Sequence, residues 1–246
     1  MTRTLVARTD GRGQLLLEGQ AAAPDGPVDL TIMWAMHRGF RRDLENFVRA
    51  AAATPVEDRA TWRRLYARWG LFSTILHHHH TGEDAGLWPL LLARVDAAGD
   101  AAGRATLEAM AAEHAGIDPL LAACSVGFAR LAGTADEAAR SALAADLAAA
   151  RDHLGRHLQH EERDAMAILQ EHLQHADWER IGEEFFEPAY SRGDLLTLAA
   201  WVLHGLPPDA LARMREQHHG RVLVAVWKLV LRRPFERAER RAFRYA

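Results

Sequence analysis

Two short runs of imidazole and carboxylate side chains, each set at helical spacing inside an otherwise apolar pattern, limit what this chain can become. The first is His77-His78-His79-His80-Thr81-Gly82-Glu83-Asp84, continued by Leu87-Trp88-Pro89; the second runs from His153 through His157 and His160 to Glu161 and Glu162. Residues four apart on a helix stand one above the other on the same face, so His79 pairs with Glu83 and His157 with Glu161. Each pair can grip a cation. Two such pairs on separate helices point to a metal pair built inside a helical bundle.

The surrounding pattern supplies the helices. From Val28 to Ala53, Ile32, Met33, Met36, Phe40, Leu44, Phe47 and Val48 recur at spacings of three and four, and Thr54-Pro55 ends the run; His37 lies at the edge of this stripe. A second helix is expected from Thr61 through Trp62, Leu65, Trp69, Phe72, Ile75 and Leu76 into the histidine run and on to Val95, with a kink or local break at Pro89. After a Gly99–Gly103 turn, Leu107, Met110, His114, Ile117, Leu121, Cys124 and Phe128 mark a third, kinked at Pro119. Thr134 and Glu137 offer a capping box for a fourth that reaches His172. No strand-like alternation with hairpin turns is present. The expected fold is all-α: an up-and-down four-helix bundle over residues 28–176, preceded by an irregular arm over 1–27 and followed by a helical C-terminal extension over 177–246. In the extension, helices are expected around Trp178–Phe186, over Leu195–Leu206 and from Pro208 through Val230. The seven Lys and Arg residues from Lys228 onward, with Glu236 and Glu239 among them, read as a solvated helix face.

Helix lengths give an independent check. At about 1.5 Å per residue, His37, His79, His114 and His157 come to one level, within about two turns, when the four helices alternate in direction. Tyr66, Trp69, Phe72 and Trp88 are expected in the core. The single cysteine, Cys124, rules out an internal disulfide and a Cys-rich zinc site, which leaves nitrogen and oxygen ligands for any metal. A net charge of −3 gives no reason to expect nucleic acid or a membrane as partner, and the N-terminus lacks the pattern of a signal peptide, so the expected location is cytoplasmic.

With His37, His79-x-x-x-Glu83, His114 and His157-x-x-x-Glu161 in this order, and Glu83-Asp84-x-x-Leu87-Trp88-Pro89, Glu113-His114 and Glu161-Glu162 around them, the chain up to residue 176 resembles the hemerythrin-like family of HHE cation-binding domains. The resemblance implies two non-heme iron ions as cofactor, bridged by Glu83 and Glu161, with His37 and His79 on one and His114 and His157 on the other. It also implies O2, hydrogen peroxide or nitric oxide as small ligands. Imidazole suits iron, zinc, copper and manganese alike, so the ligand types leave the metal open, and bridging carboxylates offset the charge of two close cations. His80, about 60° round the helix from Glu83 by the 3.6-residue period, stays open as a further ligand. Asp118 stays open too, because oxygen-carrying hemerythrins have a histidine there. Glu162 stands where their fourth helix has an aspartate. His77 and His78 are expected to face solvent or a neighbour, and His153 and His160 to hydrogen-bond around the site.

The shortage of histidines favours peroxide turnover, sensing or oxidative chemistry over reversible oxygen carriage. Three functions follow: a diiron protein that binds or turns over O2 or peroxide, as in a catalase-like reaction; a non-catalytic O2, redox or iron sensor signalling through its extension to a protein partner or a second copy; and an oxygenase with an apolar substrate cavity between bundle and extension.

Overall fold

The computed structural model describes residues 13–246, apart from the side chain of Arg192. Residues 1–12 of the expected arm lie outside the described residues. Residues 13–27 carry no helix and lie across the helices: Gln14 donates to the Val28 carbonyl at 2.7 Å and the Ala21 amide to Glu162 Oε2 at 2.7 Å. Among the described residues helices are the regular structure, and there is no strand.

Helix α1 (Thr31–Ala53) buries the expected stripe of Met33, Met36, Phe40, Leu44 and Phe47, whereas Ile32 falls off it and is exposed. Asp58 caps α2 (Arg59–Gly82) by accepting from the Thr61 amide at 3.0 Å, which satisfies one of the donors that a helix start leaves orphaned. The break expected near Pro89 is a π turn over Glu83–Leu87, in which the Trp88 amide donates to the Glu83 carbonyl; Pro89 then sits in the first turn of α3 (Trp88–Ala98), where its missing N–H costs little. Gly99, at φ +70°, closes α3 in the left-handed conformation.

Helix α4 (Ala101–Gly133) runs through Pro119 as one element. By composition α4 is long and apolar enough to cross a membrane, yet it packs against α2, α3 and α5 and turns Met110, His114 and Ile117 inward. The expected Thr134–Glu137 capping box does not form. Thr134 ends α4, and the cap of α5 (Glu137–His160) is Asp136, whose carboxylate accepts from the Ala139 amide at 2.9 Å. A second π turn, Glu161–Ala165, leads into α6 (Met166–His172), with the Met166 amide donating to the Glu161 carbonyl.

Helix α1 packs against α2 and α5, and α4 joins those two from the other side. The core they enclose is aromatic. Phe47 touches Trp69, Phe72 and Phe128 with ring centroids 5.1, 5.9 and 5.4 Å apart, and Phe40 links this layer to His79 at 5.1 Å. Tyr66, expected among these rings, is exposed instead.

The extension is helical but more broken than its periodicity suggested. It comprises α7 (His175–Ile181), a π turn over Gly182–Phe186, α8 (Arg192–Leu203), α9 (Pro208–Met214), α10 (Gly220–Val226), a π turn over Trp227–Leu231, and α11 (Arg232–Ala242). The single helix expected from Pro208 through Val230 stops after Met214, and His219, at φ +54°, starts the chain again. Helices α8 and α9 lie on α1, and α11 lies on α2. A buried polar knot fastens them: Asp43 on α1 accepts from Arg68 on α2 at 2.6 Å and from the Trp201 indole on α8 at 2.6 Å, while Arg68 also donates to Glu239 on α11. Glu239 is therefore buried, not part of a solvated face. Burial opposes ionisation of Asp43, but the Arg68 and Arg42 guanidiniums outweigh it and hold the carboxyl below its usual range.

Candidate metal centre

Four helical stretches each contribute to one buried cluster. His37 comes from α1, His79 and His80 from the end of α2, Glu83 from the π turn that follows, His114 from α4, His157 from α5, and Glu161 from the second π turn. All seven side chains are buried. They fall into two groups whose donor atoms each lie within 4.8 Å of one another: His37, His79, Glu83 and Glu161 in one, and His80, His114 and His157 in the other. The six residues singled out in the sequence thus come together, and His80 joins them. Asp118 is exposed on α4 and does not.

The two glutamates link the groups. Glu83 places Oε1 at 3.2 Å from His79 Nε2 and Oε2 at 3.6 Å from His114 Nε2. Glu161 places Oε2 at 3.4 Å from His37 Nε2 and 3.6 Å from His157 Nε2. Each carboxylate also opens a π turn, a local widening of the helix common at functional sites.

An outer ring of carboxylates sets the imidazoles. Nδ1 of His37 donates to Glu162 at 2.9 Å, Nδ1 of His114 to Asp84 at 2.9 Å, and Nδ1 of His157 to Glu113 at 2.9 Å. A proton held on Nδ1 leaves a lone pair on Nε2, pointing inward. Glu162 is in turn gripped by both terminal nitrogens of Arg41, at 2.7 and 2.9 Å, and by the Ala21 amide. The other oxygen of Glu113 takes His160 Nδ1 at 2.8 Å, and His153 Nε2 donates to the Glu113 backbone carbonyl at 3.2 Å. Asp84, Glu113, Glu162 and Arg41 were not assigned these roles from sequence. The available signal was adjacency, since three of the four stand next to a ligand-type residue in the chain. His77 is exposed, and His78 packs on Tyr190 at 4.8 Å.

This donor set fits cations. The Nε2 atoms of His37, His79 and His80 and both oxygens of Glu83 and Glu161 are buried without a hydrogen-bond partner. Seven such atoms at one locus would each carry a desolvation penalty of about 1–3 kcal/mol if nothing neutralised them. The Nε2 atoms of His114 and His157 face each other at 3.1 Å; with both Nδ1 protons committed to carboxylates, two lone pairs oppose one another unless a cation or proton intervenes. Burial, followed by the nearby Glu161 and Asp84 charges, holds the Glu83 carboxyl well above the usual carboxylate range. Burial and the surrounding imidazoles hold His79 and His80 well below the usual histidine value. Neutral imidazoles are what metal binding requires. Cys124, by contrast, is buried away from this chemistry, its thiol pushed up to about 12 by burial.

One side of the cluster is closed by the extension. Phe185 and Phe186 press on the backbone at Gly86 and Gly82, where a Cβ would stand 2.5 and 2.7 Å from their rings, so only glycine permits the contact. Next to Phe186 a pocket of about 200 Å3 reaches His79.

No curated protein and no solved structure gives a significant match to the chain. The family model described as the hemerythrin HHE cation-binding domain matches residues 28–169, more than half of the sequence and the part that carries all seven clustered residues. The chain belongs to the hemerythrin HHE cation-binding domain family.

Proposed function

We propose that this protein holds two iron ions between the helices of an up-and-down four-helix bundle and binds or turns over O2 or hydrogen peroxide there. The observation that carries the reading is the set of seven buried, unpartnered donor atoms at one locus, where Glu83 and Glu161 cluster with His37 and His79 and each also stands 3.6 Å from a histidine of the second group. His37 and His79 would hold one ion, His80, His114 and His157 the other, and the two glutamates would bridge. When bound, the ions supply a redox-active pair with a free position for a small ligand. The chain's own residues do the rest. Glu162, Asp84 and Glu113 keep the imidazole protons on Nδ1, Arg41 fixes Glu162, and Phe186, its ring 6.4 Å from that of His79, narrows the approach to the cluster.

The ligand count bears on function. With His80 included there are five histidines, so the shortage that argued against reversible O2 binding disappears, and binding and turnover stand together. Sensing at the same centre stays distinguishable by experiment. Purified protein should carry about two irons per chain and show near-ultraviolet charge-transfer bands; zinc without those bands overturns the reading. With the iron protein, oxygen evolved from added peroxide, one O2 for two H2O2, supports turnover, whereas unchanged peroxide together with altered oligomeric state on oxidation supports sensing. A second reading, oxidation of an organic substrate, is favoured by the pocket that reaches His79 from between α1 and the extension.

A further inference from the structure

The pocket beside His79 differs from the rest of the centre's surroundings. One wall is α1, through Met33 and Met36; the other is the extension, through Trp178, Phe186 and Leu198. None of its lining residues is Lys or Arg, and Glu187 is among them, so an anion finds no partner there. Its volume of about 200 Å3 exceeds the ~150 Å3 of an apolar cavity that takes up benzene, enough for one ring and a small substituent. A gap of this size with apolar walls gains from being filled by a molecule that needs no hydrogen bonds.

We propose that this pocket is a binding site for a neutral, single-ring apolar molecule, held between α1 and the extension with one edge toward His79. The site itself rests only on the pocket's walls; that the molecule lies against a metal rests on the reading above. The extension then has a defined role, since it supplies most of the lining. Leu198 on α8 sets the room available, and replacing it changes the volume without touching the clustered histidines and glutamates.

Calorimetric titration of the full chain with toluene should show saturable binding of one molecule per chain, and benzoate should bind at least ~10-fold more weakly. L198W should weaken toluene at least ~10-fold and L198A should admit naphthalene, while L229W, at an exposed position far along the extension, should change neither. With methyl-labelled methionine, the resonances of Met33 and Met36 should move and those of Met110, Met166 and Met214 should not. Absence of saturation, equal binding of benzoate, indifference to L198W, or shifts at the other methionines would each overturn the proposal. Iron content measured on the same sample separates the two claims. Toluene binding to iron-free protein removes the metal reading alone, and an iron-loaded chain that ignores toluene removes the pocket alone.

Discussion

The rings of His80 and His114 lie stacked, centroids 3.8 Å apart and planes within 9° of parallel. Stacking on a neighbour from another helix turns His80 inward with the ligand-type residues, although a 3.6-residue period puts it off the face shared by His79 and Glu83. H80F preserves the ring contact and removes the nitrogen. Elemental analysis should then give about one iron per chain in place of about two, while H77F, at an exposed position, keeps the full complement.

Glu83 is costly to the protein when no cation is present, because its buried carboxyl faces Glu161. E83Q should therefore leave the stability of the metal-free protein unchanged within about 1 kcal/mol or raise it. Ferrous iron at about 1,000 times its Kd should stabilise the parent chain by roughly 4 kcal/mol, and E83Q should lose most of that gain. Thermal melts with and without iron, under anaerobic conditions, check both halves.

Much of this centre was legible because ligand spacing and core periodicity share one helical period. His79 with Glu83 and His157 with Glu161 follow directly from it, and His37 and His114 from the helix lengths. The π turns at Glu83 and Glu161 were not legible, since they depend on tertiary contacts and not on local preference. For the same reason His80 stayed open. Asp118, four residues after His114 on α4, is exposed, which the helical period alone does not reveal. In the extension, the αL residue His219 breaks a pattern that reads as one helix, and the burial of Glu239 depends on Arg68, some 170 residues earlier, which no local reading connects to it.

Arg41 does not touch the clustered donors, yet it holds Glu162 with two hydrogen bonds, and Glu162 holds His37. Burial opposes ionisation of Glu162, but the hydrogen bond from His37 and the bonds and charge of Arg41 outweigh it and keep that carboxyl below its usual range. R41M should weaken iron binding by roughly 10–100-fold without abolishing it. Competition with a chelator of known affinity measures the change; an unaltered midpoint would remove Arg41 from the account.

His204 sits between the extension's rings, 5.3 Å from Phe235 and 6.3 Å from Trp227, and burial followed by the Arg42 charge lowers it to about 4. The folded chain keeps it neutral, whereas the unfolded chain takes up a proton below about 6.5. Its contribution is thus complete above pH 6.5 and is lost as pH falls toward 4, a loss of about 1–2 kcal/mol after allowance for its partial exposure. H204F should flatten this part of the stability profile. Urea titrations at pH 7 and pH 5 should show a smaller difference for the variant than for the parent chain.

If two cations share Glu83 and Glu161, anomalous diffraction at the iron absorption edge will show two peaks about 3.5–4 Å apart, one among His37, His79 and the glutamates and one among His80, His114 and His157. A single peak, or iron bound away from these residues, would contradict it.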